Sequence, residues 1–145
     1  MSRKTIDNLN HLIADLTVFY QKLRHYHWNV KGPEFFRLHE KFELMYDEVN
    51  MALDEVAERV VGLDGTPYHT LQDMLDNTSL QEDPKTPAGD VMVDNLVKDI
   101  TLLNGKIQDY IDGAESDEDR TTANMLDEIK DGLEAHLWML KAWQK

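Results

Sequence analysis

The 145-residue chain contains no cysteine. This absence excludes thiolate metal sites, cysteine nucleophiles and a disulfide framework, and it agrees with a reducing cytosol. The sequence also lacks any apolar run near the roughly 20 residues that cross a bilayer. Its N-terminal stretch lacks the apolar segment of a secretory signal. We therefore expect a single cytoplasmic domain over residues 1–145, with no membrane association.

Basic residues are the second shortage. The chain carries 15 Lys and Arg against 28 Asp and Glu, a formal net charge of −13. Such a surface repels nucleic-acid phosphates and anionic lipids, and it attracts cations. The charge argues against a general DNA-binding protein. Because solubility alone accounts for an acidic surface, the charge does not by itself identify a metal-binding protein.

Glycine and proline are scarce as well, with 7 and 4 residues, and they separate long segments of helical periodicity. Apolar residues recur at three- and four-residue intervals in these segments, which predicts four long helices. Their expected bounds are Thr5, as an N-cap, to Lys31; Glu34 to Val61; Thr86-Pro87 to Gly113; and Asp119 to Ala142. Val91 is expected on the buried stripe of the third of these helices.

The connection between the second and third long helices is too long for a tight turn. It contains LQDMLDN, residues 71–77, which Thr70 can cap as a short helix. Four long helices with one long crossover predict an all-α, ferritin-like four-helix bundle with a short helix in the crossover.

His27 lies at the centre of the apolar stripe of the first helix. A histidine there is either a core residue with satisfied hydrogen bonds or a metal ligand. The first helix alone does not decide between these interpretations.

The second helix places one histidine and three acids in one arc of about 100° beside its apolar stripe. These residues are His39, Glu43, Asp54 and Glu58. Imidazole nitrogen with carboxylate oxygen suits iron, manganese or zinc, and Asp54 and Glu58 are one turn apart, so both can reach one ion. The alternative is a solvated acidic flank with i,i+4 pairs to Lys41 and Arg59. Such a flank needs no histidine.

The chain contains no Glu-x-x-His motif, since Glu134 and His136 have the wrong spacing. Di-iron proteins that hold metal inside one bundle use that motif on two helices. An in-bundle di-iron centre is therefore not expected. Because the acids of the second helix point away from their own core, a site shared between subunits remains as the geometric option.

Two motifs and the C-terminal stretch HLWMLKAW resemble the Dps family, the DNA-binding proteins from starved cells or miniferritins. The first motif contains His27-Trp28, Gly32, Phe35-Phe36 and Leu38-His39-Glu40. The second is LDEVAERV, which contains Asp54 and Glu58. The spacings agree throughout, and the resemblance extends over nearly all of the chain.

The resemblance implies a dodecameric hollow shell with iron at the two-fold dimer interface. His27 and His39 would come from one subunit, and Glu43, Asp54 and Glu58 from its partner. An isologous dimer then makes two such sites by symmetry.

The activity that the resemblance implies is a ferroxidase. It oxidises Fe(II) to Fe(III) with hydrogen peroxide or oxygen at a two-iron centre, and it stores a ferric oxide mineral in the cavity. Trp28 would quench stray oxidising equivalents, and the alternative role for Trp28 is dimer packing. Tyr20 is expected in the core.

Iron entry through acidic three-fold pores is also implied. The candidates lie in the acidic loop before the fourth helix and at its start: Glu115, Asp117, Asp119 and Asp127. Arg120 and Asn124 stand where the family places acids, so a charged solvated loop is the alternative.

DNA binding is expected to be weak or absent. Some members of the family use a lysine-rich N-terminal tail, whereas this chain has only Arg3 and Lys4 before the first predicted helix, and Lys141 and Lys145 near its C-terminus. A surface of high negative charge opposes phosphate binding. Two other functions stay open: a nucleoid DNA-binding stress protein with little ferroxidase activity, and a passive helical scaffold.

Overall fold

The computed structural model describes residues 3–145. Over these residues the chain forms five helices and no strand, which confirms the all-α prediction. The helices are α1 (Arg3–Asn29), α2 (Phe35–Gly62), α3 (Leu71–Asn77), α4 (Gly89–Ser116) and α5 (Arg120–Gln144). Among these described helices, none is long and apolar enough to cross a bilayer.

The four long helices form two hairpins that pack against each other. α1 packs along α2 and α4 packs along α5, while α1 contacts α4 and the short α3 lies on α1. The contact between α2 and α5 is much less extensive than that between α1 and α2. Fully buried side chains fill the space between the hairpins, among them Leu12, Phe19, Phe42, Leu96 and Ile100. The predicted bundle with a short helix in its crossover is therefore the observed one.

A tight break after α1 turns the chain back onto itself. Gly32 adopts a φ of +100°, a conformation that costs other residues a steric clash at Cβ. The Phe35 N–H donates to the Gly32 carbonyl at 3.0 Å and closes the turn. The end of α1 thereby lies beside the start of α2, which brings together side chains that are 12 residues apart.

Three residues predicted to begin or end a helix do not do so, while the other ends of the long helices lie within two residues of the predicted ones. Thr5 is not an N-cap: it lies inside α1, which begins at Arg3, and its hydroxyl donates to Asp117 at 2.8 Å. α4 begins at Gly89 rather than at the Thr86-Pro87 pair. Gly113 does not end α4, which continues for another turn until Glu118 adopts a φ of +61°.

Val91 is wrong as a core residue of α4. It is 44% exposed, whereas Met92 and Val93 are fully buried. The apolar stripe of α4 therefore begins at Met92 and Val93 rather than at Val91, while its later positions Leu96, Ile100, Leu103 and Ile107 are fully buried.

The crossover is fastened to the bundle by buried polar contacts. Asp15 of α1, almost fully buried, accepts from the Thr78 hydroxyl at 2.8 Å and from the Ser79 N–H at 2.5 Å. Farther along, the Tyr26 hydroxyl donates to Asp83 at 2.6 Å and accepts from Asn95 of α4. Burial and the Asp83 contact raise the pKa of Tyr26 well above its usual value. The crossover therefore has a fixed path along α1.

Candidate metal centre

His27 and His39 hold each other in a fixed orientation across the turn. The Nδ1 of His27 bonds to the His39 carbonyl at 2.6 Å, and the Nδ1 of His39 bonds to the His27 carbonyl at 2.7 Å. Because a carbonyl can only accept, each Nδ1 carries the proton. In the neutral form of each imidazole the lone pair is therefore at Nε2, and this is the tautomer in which Nε2 can ligate a metal.

Aromatic side chains clamp this pair of imidazoles. The rings of His27 and His39 stack with centroids 3.8 Å apart, and Phe35 covers the outer face of His39 at 4.8 Å. The ring of Tyr46 contacts the His27 ring edge to face, with ring centroids 5.3 Å apart. His27 is only 6% exposed. Neither imidazole can rotate without breaking several contacts, so the pair is preorganised.

Glu43 completes a group of three potential ligands. It lies one turn after His39 on α2, and its carboxylate is 3.5 Å from the Nε2 of His27. One ligand atom from each of the three residues falls within 4.8 Å of the others. The expectation that Glu43 comes from the partner is wrong in this respect, since Glu43 lies with the histidines of its own chain.

The side chains of His27, His39 and Glu43, called the ligand corner from here on, form a donor set that fits a cation. With Nδ1 bonded to a carbonyl on both rings, each Nε2 is left to face the Glu43 carboxylate, and a positive charge at that position, a proton or a metal ion, is favourable. Two imidazole nitrogens and one carboxylate oxygen suit iron, zinc or manganese. Three ligands from one chain leave the coordination of such an ion incomplete, so further ligands must come from elsewhere.

Asp54 and Glu58 do not reach this corner within one chain. Asp54 lies about 22 Å from His39 along the axis of α2, at about 1.5 Å per residue. Both carboxylates are exposed. Within residues 3–145, neither makes a hydrogen bond or an ion pair. They form an uncompensated acidic pair on the surface of α2.

The two basic residues that the alternative interpretation pairs with the acids of α2, Lys41 and Arg59, are engaged elsewhere. Arg59 donates to Asp119 at 3.0 Å and to the Thr122 hydroxyl at 2.9 Å, both at the start of α5. Lys41 donates to the Nδ1 of His136 at 2.8 Å. The alternative of an acidic flank neutralised by i,i+4 pairs to Lys41 and Arg59 is therefore not what the structure shows.

Comparison with known proteins places the whole chain in one family. A family model described as a ferritin-like domain matches residues 6–145. The DNA protection during starvation protein of Brevibacillus brevis is 43% identical over 135 residues, which are 93% of this chain and 91% of the relative. A Dps crystal structure from Bacillus brevis superposes with a TM-score of 0.96 and 40% identity over all of both chains.

The chain belongs to the Dps family of ferritin-like proteins. A further structural relative is the Dps protein of Vibrio cholerae, with a TM-score of 0.96 and 34% identity over 99% of this chain and 90% of that one. That protein is described as a member of a broad superfamily of ferritin-like diiron-carboxylate proteins. The predicted fold and the resemblance to Dps are confirmed.

Trp28 lies on the outside of this Dps chain rather than in the ligand corner. Its side chain is 55% exposed, and the guanidinium of Arg24 lies over its ring at 4.8 Å. Tyr20 is half-buried and packs against the core, as expected, and Arg24 also covers its ring at 5.2 Å. Its exposure makes Trp28 available for a subunit contact.

The four pore candidates differ in their surroundings. Asp119 caps α5, accepts from Thr122 and pairs with Arg59. Asp117 accepts from Thr5. Glu115 and Asp127 are exposed. Two of the four acids therefore have structural roles, and a pore built from these residues stays a prediction.

Sequence reasoning missed two contacts of the ligand corner, those of Phe35 and Tyr46. Phe35 belongs to the first motif, but its place in the motif does not show that one face of its ring covers His39. Tyr46 lies seven residues after His39 on α2, so a helical wheel places both on one face. Burial and the charges of Glu43 and Asp47 raise the pKa of Tyr46.

Proposed function

We propose that this Dps protein binds Fe(II) at sites shared between two subunits and oxidises it to Fe(III). The preformed corner of His27, His39 and Glu43 carries the proposal, because it presents three metal ligands that one chain cannot complete. Hydrogen peroxide, or oxygen, is the proposed oxidant. The activity is that of a ferroxidase in the cytoplasm that protects the cell against oxidative stress.

The missing ligands fit the acidic pair of a second chain. In an isologous dimer any contact occurs twice, so Asp54 and Glu58 of each chain can face the histidines of the other. The pair is exposed, and no basic side chain within residues 3–145 pairs with it, which leaves both carboxylates available as metal ligands. Two sites per dimer result, each with nitrogen ligands from one chain and extra carboxylates from the other.

The ligand set favours the proposed chemistry. Carboxylates stabilise the harder Fe(III) ion more than Fe(II), so binding lowers the reduction potential and favours oxidation. Peroxide accepts two electrons when it forms water, and two Fe(II) ions supply both. Bound as a pair, the two irons avoid release of a hydroxyl radical. Trp28, beside His27 in sequence, is proposed to quench stray oxidising equivalents.

Storage completes the proposed function. We propose that twelve chains form a hollow shell, that ferric oxide mineral collects inside it, and that iron enters through acidic pores. The names of the relatives support a protective role, since the Brevibacillus brevis protein is named for DNA protection during starvation. The Vibrio cholerae relative supports iron chemistry through its diiron-carboxylate superfamily.

The test is anaerobic loading with Fe(II), followed by peroxide, with Fe(III) absorbance and peroxide consumption recorded together. The wild type should consume about one peroxide per two Fe(II), as a paired site requires. Asp54→Asn should remove the fast phase. Glu55→Gln is the matched control, since Glu55 is an equally exposed acid next to Asp54 that belongs to no ligand group.

The same experiment can contradict the ferroxidase proposal. If the wild type oxidises Fe(II) no faster than buffer does, the histidine corner is structural and the ferroxidase proposal is wrong. Retention of plasmid DNA by the mineral-free protein at physiological salt would then support the nucleoid-binding alternative. If neither activity appears, the passive scaffold remains. We expect no DNA retention, because the chain carries a net charge of −13.

A further inference from the structure

A lysine ammonium lies between a nitrogen acceptor and a sulfur acceptor where α2 meets α5. The Nζ of Lys41 donates to the Nδ1 of His136 at 2.8 Å and to the Sδ of Met139 at 3.4 Å. The two acceptors are three residues apart on α5, so they share one face of that helix. An imidazole lone pair and a thioether lone pair therefore converge on one positively charged atom.

A carboxylate determines which nitrogen of His136 is free to bind a cation. The Nε2 of His136 bonds to the carboxylate of Glu48 on α2, and because a carboxylate accepts, Nε2 carries the proton. The lone pair of the imidazole is then at Nδ1, the atom that accepts from Lys41. His136 is only 6% exposed, so its ring is held in this orientation. A carboxylate that orients a histidine through its second nitrogen is typical of metal ligands.

We propose that His136 and Met139 form a second metal site, which binds Cu(I) in the place of the Lys41 ammonium. Thioether sulfur is a soft ligand that selects Cu(I), and imidazole nitrogen also suits copper. The carboxylate and imidazole ligands of the proposed iron site include no sulfur. The chemistry of the two donor atoms, together with the cation that they already hold, carries this inference.

Lys41 can leave this position while the fold stays in place. Its ammonium is held by hydrogen bonds to His136 and Met139 at the end of a flexible four-carbon stem, and the residue is half-buried. The ammonium and the metal ion need the same two lone pairs, so they compete. Glu48 stays on the other side of the imidazole and keeps the site favourable to a cation.

The proposed copper site is separate from the ligand corner. Lys41 follows His39 by two residues on α2, a rotation of about 200°, so the two side chains point to opposite sides of the helix. His39 stacks on His27 of α1, whereas Lys41 contacts α5. The inference therefore does not depend on the proposed ferroxidase function, and a sulfur ligand distinguishes copper at this site from copper at the ligand corner.

The experiment is anaerobic titration of the assembled, iron-free protein with Cu(I) against a chromophoric Cu(I) chelator, followed by copper X-ray absorption. The wild type should bind Cu(I) with a sulfur ligand. Met139→Leu, a swap of similar volume at a partly exposed position, should lose the sulfur signal. Met51→Leu is the matched control, because Met51 is 72% exposed and lies about 15 Å from Lys41 along α2. It should keep the wild-type signal.

Two variants of Lys41 test the competition. Lys41→Ala removes the competing ammonium, so sulfur-ligated copper should form at a lower free Cu(I) concentration than in the wild type. Lys41→Arg keeps the positive charge and should show no such gain. The site is wrong if the wild type binds no Cu(I), binds it without sulfur, or keeps the sulfur signal in Met139→Leu. A Lys41→Ala protein that needs as much Cu(I) as the wild type, or more, would also overturn the proposal.

Discussion

The two ends of α2 hold the proposed iron ligands in opposite states. At the N-terminal end, His39 is stacked, hydrogen-bonded and locked beside His27 before any metal arrives. Toward the C-terminal end, Asp54 and Glu58 stand exposed with no partner among the described residues. One half has its orientation fixed by the fold, and the other supplies charge that the fold leaves uncompensated.

With this arrangement one chain can carry nitrogen ligands near one end of α2 and carboxylate ligands near the other end without burying an unpaired charge. Carboxylates that were buried and unpaired would destabilise the monomer, whereas exposed ones cost little. An imidazole can be buried at little cost in its neutral form, provided that its N–H has a carbonyl acceptor, as both rings have here. In the proposed dimer, metal binding would follow assembly, because a second chain would bring the exposed acids to the buried histidines.

The largest expected effect is on Fe(II) oxidation and on stability, and it distinguishes variants of the histidine ligands from variants of the acidic ligands. His39→Ala and Asp54→Ala should both slow Fe(II) oxidation by at least about 100-fold, since each removes a ligand. Only His39→Ala should also lower the free energy of unfolding of the metal-free protein, by about 1–3 kcal/mol, because it leaves the His27 carbonyl without its donor. Asp54→Ala should change it by less than about 0.5 kcal/mol.

Urea denaturation at fixed protein concentration measures both values, since assembly makes apparent stability depend on concentration. An equal loss of stability in the two variants would contradict the contrast between a preorganised half and an exposed half.

The turn at Gly32, which places His27 beside His39 in the ligand corner, can be tested by itself. Gly32→Ala forces a β-carbon into a φ of +100°, which should cost about 1–2 kcal/mol and loosen the contact of His27 with His39. Gly62→Ala is the control. A β-carbon at Gly62 meets no atom within 4 Å, and the residue ends α2 without a positive φ, so its stability should be unchanged or slightly higher.

Thermal unfolding and Zn(II) titration by calorimetry compare the two glycine variants. If Gly32→Ala binds Zn(II) and unfolds as Gly62→Ala does, the turn does not position the histidines.

A smaller effect concerns the acid that holds Arg59 away from Asp54 and Glu58. Burial alone would raise the pKa of Asp119, but hydrogen bonds from Thr122 and the charge of Arg59 outweigh burial and hold that pKa below its usual value. A lowered folded pKa means that the ionised group stabilises the fold above the unfolded pKa of about 3.9, and that this stability is lost as the pH falls through the folded value.

Asp119→Asn keeps a side chain that can cap α5 but removes the charge that pairs with Arg59. It should therefore lower stability at pH 7 by up to about 1 kcal/mol, the upper range for a partly exposed ion pair. The difference from the wild type should shrink below about pH 4. Urea denaturation across this range, with the exposed Asp109→Asn as control, measures the trend. A difference that stays constant down to the lowest pH would show that the charge of Asp119 is not what stabilises the start of α5.

Local sequence patterns predicted most of the fold. The periodicity located four long helices and the Gly32 break, and Thr70 caps α3 with the expected hydrogen bond to Asp73. Local patterns failed where a distant partner decides the outcome. Thr5 continues α1 and contacts Asp117, which is 112 residues away. Gly113 stays helical because the stop signal lies at Glu118, where no glycine marks it.

The sequence named the residues of the proposed site but did not show which of them lie together within one chain. The helical wheel placed His39 and Glu43 on one arc of α2, yet only the structure shows that Glu43 faces His27 of its own chain. The pairing of Arg59 with Asp119 depends on how α2 meets α5. A sequence periodicity carries no information about such contacts between helices.

The measurement that tests a shared site most directly is subunit mixing. Chains carrying His39→Ala and chains carrying Asp54→Ala are co-expressed with different tags, and the mixed assemblies are purified and supplied with Fe(II) and peroxide. In a mixed dimer one site carries both defects and the other has all its ligands, so random mixing should restore about a quarter of the wild-type sites. Each variant alone should be inactive, and inactive mixed assemblies would contradict a site built from two chains.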